Sequence, residues 1–149
     1  MQVKKVLMSA LIATTMASLS AQSPKPPGQY MSGAEIASAV AAAAAAGDRP
    51  GMAVGRFVNT DDYRINMIHR TAAAGAIVHD VGTELHYITD GAGTLVTGGV
   101  IVRPASGGAV IEGGKAQRVA AGDMVLIPVG TPHWYSAVEG SVSYLEVRF

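Results

Sequence analysis

From Met52 to Phe149 the chain runs in short apolar or alternating groups rich in Val, Ile and Tyr, punctuated by glycine or Asx turns every eight to twelve residues or so. Alternation with a period of two aims successive side chains at opposite faces, which suits strands with one face buried. The pattern predicts strands at 54–59, 63–69, 75–79, 84–89, 93–97, 109–112, 117–119, 124–127, 133–137 and 142–149. About ten short strands with no long helix among them and no repeat period predict an all-β sandwich or barrel.

The segment before this block has a different rhythm. SGAEIASAVAAAAAAGD places Ser32 and Glu35 at capping-box spacing and puts Gly47 where a helix end favours positive φ. One N-terminal α-helix over 33–46, within a unit at 32–47, is expected to pack outside the domain or to mediate self-association. Residues 22–31 hold three prolines and read as an extended linker. At the start, Lys4 and Lys5 precede an apolar, charge-free run broken by Ser9, Thr14, Thr15 and Ser18, followed by small residues near Ala21. This layout predicts a signal peptide over 1–21 and a periplasmic or secreted protein. The run is shorter than the ~20 apolar residues that a membrane span demands.

Charge changes the picture of partners. Loss of 1–21 removes two lysines and no acids, leaving nine basic side chains against eleven acidic ones, a formal charge of −2. Such a surface does not favour a phosphate backbone, so no nucleic acid is expected as partner, and no membrane after signal cleavage. The remaining 48–149 region suffices for one domain, and the absence of cysteine means that no disulfide staples it.

Chemistry is concentrated in the four histidines, His69, His79, His86 and His133. The string Gly122-Asp-Met-Val-Leu-Ile-Pro128-Val-Gly130-Thr-Pro-His133 reads as a turn, a buried strand, a Pro-Gly bend and a histidine opening the next strand. It resembles the second conserved motif of the cupins: glycine, five residues, proline, one residue, glycine, two residues, histidine. In His79, Glu84 and Gly91 the spacing is similar to the second half of the first cupin motif. Ile77 stands where that motif carries its other histidine. His86, two residues beyond Glu84 and so on the same strand face, offers a replacement. The resemblance covers about 71–149 and implies a cupin fold, a double-stranded β-helix or jelly-roll barrel.

It also implies one divalent metal ion, Zn, Mn, Ni or Fe, held by His79, Glu84, His86 and His133; nitrogen and carboxylate donors do not choose among these ions. His86 is equally a candidate catalytic residue, an uncoordinated imidazole able to carry a proton. His69 is assigned to an exposed strand end with Arg70 and Thr71. Gly91, Gly93, Gly98 and Gly99 read as hairpin glycines. Trp134, Tyr144 and Glu146 are candidates for contact with a small-molecule substrate, and Arg148 shares the parity of the last two.

These residues predict an exported enzyme using the ion as a Lewis acid on a small oxygen-rich substrate, in a lyase, isomerase or decarboxylase type of reaction. Two other classes stay open: a non-catalytic cupin binding a sugar or small ligand, and a metal-dependent dioxygenase. A homodimer is expected to form through a free edge on the C-terminal strand.

Overall fold

The computed structural model describes residues 23–149, so the expected signal peptide over 1–21 lies outside the described residues. Residues 23–30 form no regular secondary structure and are exposed. No helix among the described residues is long and apolar enough to cross a membrane.

Helix α1 (Gly33–Ala46) begins at Ser32, whose hydroxyl accepts from the Glu35 backbone N–H while the Glu35 carboxylate accepts from the Ser32 N–H. These bonds satisfy donors that a helix N-terminus otherwise leaves unpaired. Gly47 closes it with φ +68°. No residue of α1 is fully buried. The helix lies against strand β1 (Met52–Asn59) at Gly55, where a Cβ would fall 2.8 Å from Val40 Cγ2. Glycine permits this approach because it has no side chain to separate the backbones.

The other strands are β2 (Arg64–Arg70), β3 (Glu84–Thr97), β4 (Val100–Val102), β5 (Val110–Glu112), β6 (Lys115–Ala120), β7 (Met124–Ile127) and β8 (His133–Arg148). The main sheet has the order β1-β2-β8-β3-β6, with β7 also on β3; β4 and β5 form a separate hairpin. Every pair is antiparallel. Strand β3 pairs with β8 on one side and shares the other between β7 and β6.

Several expected boundaries change. Segments 84–89 and 93–97 are one strand, as are 133–137 and 142–148, because β3 and β8 pair continuously through register shifts instead of folding back. Gly91 and Gly93 are therefore sites of irregularity inside β3, not hairpin glycines; only Gly98 and Gly99 turn the chain, into β4. Segment 75–79 forms no strand and holds only an isolated bridge between Ile77 and His133. The C-terminal strand is not an edge: β8 sits between β2 and β3, and β1 and β6 end the sheet. The basis on which self-association was expected is thus absent from β8.

One apolar cluster comprises Ile68, Ile88, Leu95, Val119, Ile127, Tyr135, Val142 and Tyr144. Partners in an antiparallel register present their side chains on the same face. The registers therefore build rows across that face. One row reads Arg56, Asn66, Glu146, His86; the next reads Asn59, Arg64, Arg148, Glu84. Polar rows at the open end and the apolar cluster beyond them set the position of the site.

Candidate metal centre

Glu84 opens β3 and is only 2% exposed. Three imidazoles converge on its carboxylate: His79 Nε2 lies 3.1 Å from Oε1, while His133 Nε2 and His86 Nε2 lie 3.2 and 3.3 Å from Oε2. His86 reaches the same face because it follows Glu84 by two residues on a strand. His133 begins β8, delivered by the bend at Pro128 and Gly130. The Ile77 and His133 backbones exchange hydrogen bonds, and the Gly130 N–H donates to the His79 carbonyl at 2.9 Å. Thus His79 is held at the centre although its segment is not a strand.

Hydrogen bonding indicates which ring nitrogens carry lone pairs. His133 Nδ1 is 3.1 Å from the Thr131 carbonyl, an acceptor, so Nδ1 carries the proton there. In the neutral ring Nε2 is then an acceptor aimed at another acceptor, Glu84 Oε2. His79 Nε2 takes a hydrogen bond from Arg148 Nη2 at 2.8 Å and so also presents a lone pair beside Oε1. Neighbouring acceptors repel unless positive charge lies between them. Arg148 supplies it on one side, donating to Glu84 Oε1 from Nε at 2.8 Å and from Nη2. On the His133 side the charge is either a second ring proton or a cation.

Burial raises the Glu84 pKa, but where His133 carries its second ring proton, hydrogen bonds from His133 and His86 and their positive charge outweigh it and hold the carboxyl far below its ordinary value. The His79 pKa is lowered, first by burial, against the attraction of Glu84 and with help from Arg148. Ionised carboxylate and neutral imidazole are the forms that bind metals.

His79, Glu84 and His133 offer ligand atoms within 4.8 Å of one another, and Glu84, His86 and Glu146 form a second, overlapping group. Donors on one ion, each ~2.1 Å away, are at most ~4.2 Å apart, so the first group is close to the compactness that coordination needs. His86 shares Glu84 with that group without joining it. The donor set fits a divalent transition metal or zinc.

Of the residues expected to meet substrate, Tyr144 is 1% exposed and accepts from Arg70 Nε at 2.9 Å. Burial, opposed by Arg70, pushes its hydroxyl pKa up to about 12. Glu146 accepts from Asn66 Nδ2 at 2.9 Å and borders a cleft that it shares with His79 and Arg148. Trp134 borders a small recess behind the histidines, with its buried Nε1 unpaired among the described residues. His69 lies apart from the centre, with Nδ1 2.9 Å from Ser143 Oγ.

Two residues hold places that the sequence reading did not assign them: alternation let either Trp134 or Tyr135 line a pocket, and the choice fell on Trp134. Tyr135 shares the parity of His133, places its hydroxyl 3.4 Å from His86 Nδ1, and stacks on Tyr144 with centroids 5.0 Å apart. Its parity was the available signal. Arg70, expected at an exposed strand end, is 9% exposed, with its guanidinium carbon 5.3 Å from the Tyr135 ring centroid. A charged residue at a strand terminus reads as solvated; its burial arises from β1 and β8 flanking β2.

No family model matches this chain, and no curated protein does. Solved structures with the same fold do. Hydroxypropylphosphonic acid epoxidase from S. wedmorenis aligns with a TM-score of 0.55 at 16% identity, over 67% of this chain and 51% of the epoxidase. KdgF from Halomonas sp. aligns with a TM-score of 0.51 at 19% identity, over 68% of this chain and 82% of the other. A putative mannose-6-phosphate isomerase from Ralstonia eutropha gives a TM-score of 0.50 at 12% identity, over 68% and 86%. The chain thus matches about half the length of the epoxidase. The chain shares the fold of these proteins, an all-β cupin fold, with one N-terminal α-helix.

Proposed function

We propose that the protein is an exported, metal-dependent cupin enzyme in which His79, Glu84 and His133 hold one divalent ion and His86 moves a proton. The observation carrying this reading is the convergence of three imidazole nitrogens within 3.3 Å of one buried carboxylate, a nitrogen-and-oxygen donor set that suits a divalent cation. Zn, Mn, Ni and Fe all suit the donors. Related folds were solved with Fe(II) and Co(II) bound to the epoxidase, which supports a redox-capable or Lewis-acid ion of this size. Export is supported by Lys4, Lys5 and the apolar run after them.

An ion at this centre would polarise a substrate carbonyl or carboxylate, or activate water. The side chains supply the rest. His86 faces Glu84 Oε2 through Nε2 and the Tyr135 hydroxyl through Nδ1, so its two nitrogens can accept on one side and donate on the other. Burial holds the Tyr135 hydroxyl protonated by pushing its pKa above the ordinary tyrosine value. Tyr135 and Tyr144 line the recess that holds Glu84, His86 and His133, and Tyr144 and Glu146 also border the adjoining cleft with His79 and Arg148. This geometry supports proton transfer on a small oxygen-rich substrate, as in a lyase, isomerase or decarboxylase.

Elemental analysis of protein purified from medium supplemented with Zn, Mn, Fe and Ni tests the reading. About one ion per chain is expected, lost in His133→Ala and Glu84→Ala and retained in His86→Ala. Metal-free wild-type protein overturns the proposal; loss of the ion in His86→Ala makes that residue a ligand and overturns its proton-carrying role.

A further inference from the structure

Five of the chain's seven arginines, Arg49, Arg56, Arg64, Arg70 and Arg148, line one cleft of about 360 Å³ that leads to His79 and the front of the centre. Its single acidic lining residue, Glu146, already accepts from Asn66. Among the described residues, only Arg148 of the five forms an ion pair, with Glu84. A chain with two more acidic than basic side chains after residue 21 does not concentrate positive charge this way through composition alone.

Two further details indicate what the charge is for. Arg64 and Arg148 are direct partners in the β2–β8 register; Glu84 offsets the charge of Arg148, whereas Arg64 has no ion-pair partner among the described residues and faces a like charge. Arg70 is more than nine-tenths buried and lines the cleft, and its Nη1 has no hydrogen-bond partner among the described residues. A buried donor without an acceptor is costly, a cost that an oxyanion drawn to the floor of the cleft would relieve. The arginines are graded in depth: Arg49, Arg56 and Arg64 are exposed at the mouth, Arg148 is half-buried, and Arg70 forms part of the floor.

From this arrangement we infer that the cleft takes a small acidic substrate, whose carboxylate or phospho group is bound by arginine while its reacting end faces the His79–Glu84–His133 group. Planar guanidinium forks match both kinds of oxyanion, which the compact lysine ammonium does not. The inference deepens the proposed function by naming its substrate class, and it rests on that reading only for where the reacting end lies.

Calorimetric titration at low salt, with zinc-loaded protein, of succinate, phosphoglycolate and the neutral isostere succinamide tests it. At least one acid is expected to bind about tenfold or more tightly than succinamide, consistent with one or more charge-assisted hydrogen bonds. Preference between the two acids then tells carboxylate from phospho recognition. The exposed pair Arg56→Gln/Arg64→Gln should weaken acid binding about tenfold while zinc titration of the same variant stays at the wild-type value. Equal binding of the acids and succinamide, or acid binding indifferent to the double variant, overturns the inference. Failure of wild-type protein to bind zinc overturns the metal reading instead, and acid selectivity measured without zinc would still support the anion site.

Discussion

Glu84 and Arg148 are direct partners in the β3–β8 register, and the guanidinium bonds the carboxylate through both Nε and Nη2. Arg148 Nη2 also bonds His79 Nε2, so it occupies lone pairs that an incoming ion requires. Arginine and metal therefore compete for the same electrons. In the metal-free protein, Arg148→Ala should cost on the order of 2 kcal/mol, the scale of a lost hydrogen bond to a charged partner. Added Zn²⁺ should raise the melting temperature of Arg148→Ala more than that of the wild type. Differential scanning fluorimetry with and without zinc checks this; equal increments would show that the arginine and the ion do not compete.

The depressed pKa of Glu84 has a pH signature in metal-free protein. A carboxyl whose folded pKa lies below its unfolded value near 4.5 stabilises the fold above that value, and the contribution is lost as pH falls through and below it. The wild-type protein should therefore lose more stability between about pH 6 and 3 than Glu84→Gln does, since every other carboxylate titrates in both. Urea unfolding of EDTA-treated protein across that range measures the difference. Parallel curves would show that the carboxylate is not held ionised.

Two glycines separate steric cost from backbone cost. Gly91 and Gly98 both have positive φ, +70° and +75°. A Cβ at Gly91 would meet the Ser141 carbonyl oxygen at 2.0 Å, whereas nothing lies within 4 Å of one at Gly98. Gly98→Ala should cost about 1 kcal/mol, the left-handed penalty alone. Gly91→Ala should cost several-fold more, because β3 and β8 must separate at their bend. Denaturant midpoints of the two variants test the ordering.

Gly55→Ala drives a methyl into Val40 Cγ2 and the Val40 backbone nitrogen, 2.8 and 3.2 Å away. The helix should lift from β1 while the metal group, carried by β3, β8 and 71–83, stays in place. Hydrogen exchange is expected to quicken in 33–46 and to stay unchanged in β3; faster exchange throughout would make α1 integral to the barrel.

The sequence reading located α1 to its end residues because capping is local: Ser32, Glu35 and Gly47 each declare their role within one turn. Met124–Ile127 was equally legible between its turn residues. The joining of segments into β3 and β8 was not, since glycines that bend a paired strand and glycines that reverse a chain look alike until the partner strand is known. The convergence of His79, Glu84 and His133 followed from motif spacing, and that of His86 from parity. The arginine cleft was invisible because its members come from the stretch before β1 and from β1, β2 and β8, whose neighbour relations are long-range.

The backbone bridge between Ile77 and His133, together with the Gly130 bond to the His79 carbonyl, ties two nitrogen donors into one mechanical piece. Glu84 and His86 belong to another, the opening of β3. The width of the centre is therefore a property of the seam between these pieces. Lengthening the bend at 128–132 by a single residue would carry both imidazoles away together and leave the carboxylate behind.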